Sequence, residues 1–407
     1  MTTQARTDPF ARRARATLDG LEARGEFKHL RVIDGPMNRT VTIVHEDGRR
    51  QEALCFCSNN YLGLANHPEV VEAGIEGVKR FGAGTASVRF ICGTFTPHLE
   101  LEERIANFLG AEAAYTFVSC WNATEALLPT LAEPGDAIVS DALNHACIID
   151  SIRLAGVINK GVTKHIYKNN DLSDLEAKLK NAREATDDDH AIWCITDGVF
   201  SMEGSLADLP AMRRLCDEYG AILIVDDSHA TGVMGPTGRG THEHHGMQGA
   251  DIDLFTGTLG KAMGGGAGGY IAGPKHAIDM IVQRGRPTLF SNALPVTVAM
   301  SASKAFEILE REPERVTKLR DNCDYARQQI RAAGFEVIDS PTAICPIIVG
   351  ETATAIDMSA RLLEKGVFVI GFGFPVVPEG EARLRCQISA AHTREDIDAL
   401  VDALKSL

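Results

Sequence analysis

Ala221-Ile222-Leu223-Ile224-Val225-Asp226-Asp227-Ser228-His229-Ala230 is the stretch that decides the fold. Its apolar start has strand length and no alternation, the mark of a strand buried on both faces of a helix-covered parallel sheet. It then breaks into two carboxylates, a hydroxyl and an imidazole. Sheets of this kind collect functional groups at the carboxyl ends of their strands. Similar runs lie on either side, at Ala114–Val118, Ala137–Ser140, Ile192–Thr196, Ile252–Thr256 and Gly269–Ala272. Helix-period stretches separate several of them, at Leu99–Leu109, Leu172–Arg183 and Leu209–Tyr219. The alternation predicts an α/β protein whose large domain, residues 59–294, is built on a mostly parallel sheet.

Outside that block the pattern changes. Residues 1–58 read as an N-terminal arm, with a helix to about Leu21 and short irregular or strand segments around Thr40–His45. Residues 295–407 read as a smaller α+β domain. Helical stretches at 296–311 and 314–333 precede strands at Glu336–Ile338, Pro346–Val349, Val367–Ile370 and Arg383–Ile388. A last helix is announced by Thr393 three residues before Asp396, a capping-box start.

Composition narrows the function. The chain has 407 residues and a formal net charge of −14, the wrong sign for a protein that coats nucleic acid. No apolar run approaches a membrane span. Ten cysteines, none in a CxxC pair, suit free thiols in a reducing cytoplasm better than a disulfide framework. Arg6, Arg12, Arg13 and Arg15 invite comparison with a transit peptide, but Asp8 and Glu22 interrupt them and no cleavage site follows. An amphipathic surface helix is expected there.

Several motifs fail on context. Gly264, Gly266 and Gly269 satisfy GxGxxG, yet they lead into a strand rather than a helix, so no helix N-terminus receives a pyrophosphate. Gly257–Lys261 is too short for a phosphate loop. His242-Glu243-His244-His245 lacks the i, i+4 spacing of zinc ligands and is expected as a surface loop. Asp187–Asp189 reads as a solvated loop. No metal is expected.

Three strand ends do converge on one chemistry. Asp226 and His229 follow one run, Thr258 and Lys261 a second, and His145 a third. A lysine can hold an aldehyde cofactor as a Schiff base. A carboxylate keeps a pyridine nitrogen protonated so that the ring draws electrons, and imidazoles can stack on the ring or hydrogen-bond its phenolic oxygen. Ser119-Cys120-Trp121-Asn122, between a strand and a helical stretch, supplies backbone N–H groups for a phosphate.

These segments resemble the α-oxoamine synthases, pyridoxal-phosphate enzymes of the aspartate-aminotransferase-like fold (fold type I) that join an amino acid to an acyl-CoA. The resemblance runs from about 50 to 395. It is carried by Asn59–Leu64, Ala86–Thr94, Ser140–Ala146, Thr196–Gly204, Val225–Ala230, Thr256–Lys261, Arg286–Asn292 and Ala382–Thr393, and it favours the branch that acetylates glycine. It implies pyridoxal 5'-phosphate on Lys261, Asp226 at the pyridine nitrogen, His229 at the phenolic oxygen and His145 stacked on the ring. Cys120, Trp121 and Thr258 would hold the phosphate, Ser201 would lie beside cofactor and substrate, and Arg385 with Asn60 would bind the amino-acid carboxylate. Phe290 and Ser291 would reach the phosphate of a partner subunit, which implies a homodimer with shared active sites.

Two departures stand out. Trp121-Asn122-Ala123-Thr124-Glu125 replaces an expected Phe-Asp-Ala-Asn-Gly, and Gly371-Phe372-Gly373-Phe374-Pro375 replaces Gly-Phe-Phe-Tyr-Pro. A glycine in place of an aromatic at 373 suggests either room for donors longer than acetyl-CoA or a change compensated by packing at the domain joint, where Trp121 could refill the space. Another branch, with a longer acyl chain or with decarboxylation after condensation, is therefore the alternative.

Overall fold

The apolar runs assemble into one seven-stranded sheet. The computed structural model describes residues 8–374 and 376–407, so Arg6 and Pro375 lie outside the described residues. The strands are β1 (Val32–Ile33), β2 (Thr40–Val44), β3 (Arg50–Cys55), β4 (Ala113–Phe117), β5 (Ala137–Asp141), β6 (Thr163–Tyr167) and β7 (Ile192–Asp197). They continue with β8 (Ala221–Asp226), β9 (Leu254–Thr258), β10 (Gly269–Gly273), β11 (Ile344–Gly350), β12 (Val367–Phe368), β13 (Ile370–Phe372) and β14 (Ala382–Gln387). The large sheet has the order β4-β10-β9-β8-β7-β5-β6. Strand β10 runs antiparallel to both neighbours, and the other pairings are parallel.

Helices cover both faces, as the unalternating runs require. Successive residues of one strand enter opposite cores: Leu223, Val225, Cys194 and Phe255 belong to one, Ile224, Ile195, Ile138 and Leu254 to the other. Each such side chain contributes about 1.5–3 kcal/mol by leaving water. The parallel register also aligns the polar ends. Asp197 stands opposite Asp226, and Asp226 opposite Thr256.

The C-terminal sheet is antiparallel, β11-β14-β13, and a third sheet has the order β1-β2-β3-β12. The single strand expected at Val367–Ile370 is in fact two. Val367–Phe368 pairs parallel with β3, whereas Ile370–Phe372 turns onto β14. The expected strand at Glu336–Ile338 reduces to one bridge, Val337 to Ile347. The histidine cluster is not a surface loop. Thr241–His244 is a helical turn, with His242 buried against Phe255 and the Thr241 N–H and hydroxyl bonded to Asp227. Among the described residues, no group of three or more His, Cys, Asp or Glu is arranged to hold a metal.

Helix Ala146–Ile158 and edge strand β6 are further elements. The helix is rich in β-branched residues and so mimics a strand. The strand is Thr-Lys-His-Ile-Tyr, with no apolar run to betray it.

Candidate active site

The carboxyl edge of β7, β8 and β9 forms the floor of the site. Asp226 Oδ2 accepts the Thr256 hydroxyl at 2.7 Å, and Oδ1 accepts the Ser228 N–H at 3.0 Å. One strand over, Asp197 Oδ2 accepts the His145 N–H at 3.1 Å, while its own N–H donates to Asn144 Oδ1 at 2.7 Å. His145 is the N-cap of helix Ala146–Ile158, and its Nδ1 accepts the Cys147 N–H at 3.2 Å. That bond leaves Nε2 to carry the proton of the neutral ring. Burial lowers the His145 pKa, the Asp226 carboxylate opposes that shift, and Lys261 adds to it.

The turn after β4 is built as a cradle. Ser119 caps helix Cys120–Leu131, its Oγ accepting the Asn122 N–H at 3.1 Å. Cys120 and Trp121 thus occupy the first helical positions, whose N–H groups have no acceptor within the helix. Residue 269 must be glycine for this to happen: a Cβ there would stand 2.4 Å from the Cys120 nitrogen. Beside the turn, Thr258 Oγ1 donates to Gly268 O and accepts the Gly260 N–H, fixing the loop that leads to Lys261.

Lys261 is half-buried. Burial pulls its pKa below the ordinary lysine value, and the Asp226 carboxylate opposes that shift. His229 is buried, and its pKa falls well below normal because burial, Lys261, Arg385 and His145 all disfavour the cation.

Two arginines of β14 point the same way, and their environments differ. Arg383 is 1% exposed and paired, with Glu203 at 3.3 Å and Glu381 at 3.1 Å. Arg385 is also buried, yet its Nε and Nη2 have no hydrogen-bond partner. A buried guanidinium with idle donors is costly unless a ligand completes it. Burial lowers its pKa, and Tyr61 and Glu203 oppose that shift.

Other residues named from sequence are placed differently. The Asn60 side chain is engaged by backbone, accepting the Ala65 N–H at 3.1 Å and reaching Met37 O at 3.5 Å. Ser201 lies half-buried in the turn closed by Phe200 and Ser205. Phe290, 73% exposed, ends the short helix Arg286–Phe290 on the surface, and Ser291 follows it. Sequence reasoning gave no role to Tyr61, Asp197, Thr256 or Gln387. Tyr61 Oη meets His229 Nδ1, and Gln387 Nε2 donates to Asn59 Oδ1 at 2.8 Å beside it.

These groups could hold pyridoxal phosphate: helix N–H groups for the phosphate, a carboxylate for the pyridine nitrogen, a lysine of lowered pKa and an idle guanidinium for a substrate carboxylate. A family model described as aminotransferase class I and II matches residues 51–404.

The chain belongs to the aminotransferase class I and II family.

Within this family it is similar to 2-amino-3-ketobutyrate coenzyme A ligase of Salmonella typhimurium, 45% identical over 95% of this chain and 94% of the relative. The human mitochondrial protein of that name is 43% identical over 95% of this chain and 89% of its own. An 8-amino-7-oxononanoate synthase of Symbiobacterium thermophilum is 42% identical, with 95% of each chain covered. Among solved structures, the serine palmitoyltransferase of Sphingomonas wittichii superposes with a TM-score of 0.87 at 27% identity, covering 100% of this chain and 98% of that one. These relatives support the α-oxoamine synthase assignment and the aminotransferase fold.

Proposed function

We propose that this protein is a pyridoxal-phosphate acyltransferase that condenses glycine, or another small amino acid, with a short acyl-CoA. It would release coenzyme A and an α-amino-β-keto acid. The names of its relatives support the reaction class. The observation that carries it is Arg385, a buried cation with two idle donors, close enough to Lys261 and His229 to lower the pKa of both.

The bound cofactor supplies an electron sink for charge developing at the amino acid's α-carbon. The chain's own groups do the rest. Lys261 Nζ, biased by burial toward its neutral form, would hold the aldehyde until the amino acid's amine displaces it, and the freed amine could then accept the α-proton. Asp226 would keep a pyridine nitrogen protonated, and His229, with its proton on Nε2, could donate to the phenolic oxygen. His145 would pack against the ring. The helix start at Cys120 and Trp121, with Thr258, takes the phosphate. Arg385 clamps the substrate carboxylate through paired N–H groups.

The exposed Phe290 and the neighbouring Ser291 suit contact with a partner's phosphate site, so the working unit is read as a homodimer. Free cysteines throughout suit the cytoplasm. No helix among the described residues is long and apolar enough to cross a membrane.

Borohydride reduction of the yellow holoenzyme should label Lys261 alone, and coenzyme A release should be fastest with glycine and acetyl-CoA. Labelling of another lysine would overturn the assignment. The near-equal similarity to an 8-amino-7-oxononanoate synthase favours one second reading, a longer donor or another amino acid with decarboxylation. The same assay over a matrix of amino acids and acyl-CoAs separates the two.

A further inference from the structure

The residues by which this chain departs from the family pattern after Cys120 form one bonded unit. The Trp121 indole Nε1–H donates to Glu125 Oε1 at 2.9 Å, one helical turn on, and Asn122 Nδ2 donates to Glu125 Oε2 at 3.4 Å. Glu125 thus spends both oxygens on the first turn of its own helix. The pinned indole is 39% exposed and stands edge-on to the His145 imidazole, with centroids 6.3 Å apart and planes at 78°. Such T-shaped aromatic pairs are favourable and directional.

We infer that Trp121 and Glu125 act together as a positioning pair for the imidazole of His145. Backbone bonds already hold that residue on two sides, through its N–H to Asp197 and through Nδ1 to the Cys147 N–H. Those bonds place the ring's inner edge. The ring is otherwise largely exposed, and the Trp121 indole stands against it edge-on. Glu125 matters because a free tryptophan at a helix start samples several rotamers. With its N–H fixed, the indole presents a constant edge. The inference rests on the reading that His145 packs against the cofactor ring.

The test begins with the cofactor-free protein, where that reading plays no part. The His145 imidazole is followed by nitrogen-resolved NMR titration in the wild type, Trp121→Ala, Glu125→Ala and Glu125→Gln. The titratable groups around the ring are Asp226, Lys261, Asp197, Cys147 and His229, and none is altered. Trp121→Ala and Glu125→Ala should raise the imidazole pKa toward the solvent value, because its cover is removed or loosened. Glu125→Gln keeps an oxygen for the indole and should titrate like the wild type. Emission supplies a second readout. The chain has two tryptophans and Trp193 is buried on Asp136, so in a Trp193→Phe background the Trp121 signal should shift to the red on Glu125→Ala. In the holoenzyme, the cofactor should dissociate about threefold to tenfold faster in the two alanine variants, the range one edge-to-face pair is worth. Identical imidazole titrations in all four proteins would overturn the pair. A shifted titration with unchanged cofactor retention would support the pair and instead overturn the placement of His145 on the ring.

Discussion

Tyr61 Oη lies 2.9 Å from Nδ1 of His229, and both side chains are buried. The imidazole is neutral, because its pKa is pushed well below normal. The tyrosine hydroxyl is also protonated, its pKa raised to about 12 by burial. The phenol therefore donates, Nδ1 accepts, and the ring proton is left on Nε2.

Tyr61→Phe should accordingly release the tautomer. Losing one buried hydrogen bond and leaving Nδ1 unpaired costs about 1–3 kcal/mol. The expected outcome is a roughly tenfold fall in kcat, with nitrogen NMR showing a mixture of His229 tautomers where the wild type shows one. A single tautomer and full activity in the variant would show that the phenol does not set the ring.

Arg385→Lys should raise the KM for the amino acid about tenfold to a hundredfold, the worth of charge-assisted bonds that an ammonium cannot reproduce as a fork. Arg383→Met should instead act on stability. It strands Glu203 and removes a cation that is 1% exposed, a change of about 3 kcal/mol. Thermal unfolding and glycine saturation curves on both variants distinguish the roles; reversed phenotypes would exchange them.

The sequence suggested that Gly373 opens room for long acyl donors, but the structure gives the glycine another reason. A Cβ at 373 would stand 2.3 Å from Thr352 Oγ1, so the space an aromatic would need is already taken. The same oxygen accepts the Phe374 N–H at 3.3 Å. Gly373→Ala should destabilise the protein by about 1–3 kcal/mol through overpacking. Thr352→Ala should partly relieve it, and the acyl chain-length profile should not move. A longer preferred donor in wild type that disappears in Gly373→Ala would restore the original idea.

How far the sequence could be read depends on the range of each interaction. Asp226, His229 and Lys261 were legible because each closes an apolar run, and the run itself gives away the sheet edge. Arg385 could be preferred over Arg383 only by resemblance, because both occupy one face of β14 and what separates them is the position of Glu203 and Glu381. Tyr61 was silent, since its partner is 168 residues away. The break between β12 and β13 was equally hidden, because Val367–Phe372 is continuously apolar and local pattern cannot say which sheet takes each half.

His392 makes stability depend on acid. Its Nδ1 accepts the Ser389 N–H at 3.1 Å, its Nε2 faces Cys55 O at 3.2 Å, and burial lowers its pKa to about 4. The folded protein thus prefers the neutral ring. Above about pH 6.5 both states are neutral and the contribution is whole. As the pH falls from about 6.5 toward 4, the unfolded chain binds a proton that the folded one refuses, and up to about 3 kcal/mol is lost. Unfolding titrations should show that slope in wild type and a shallower one in His392→Gln. Equal slopes would assign the acid sensitivity to other groups.

The parallel pairing of β3 with β12 has a consequence for how the molecule is made. Gln51 donates to Leu363 O across 312 residues of chain, and Arg39 meets Asp396 across 357. On a ribosome, the amino-terminal hairpin emerges long before its fourth strand exists, and it must wait with one edge bare until Val367 and Phe368 follow. Contacts this distant in sequence are slow to close and leave strand edges open to wrong partners. Newborn chains should therefore depend on chaperones until β12 has left the exit tunnel. Translation stalled before Val367 should yield a product that aggregates rather than a smaller folded protein.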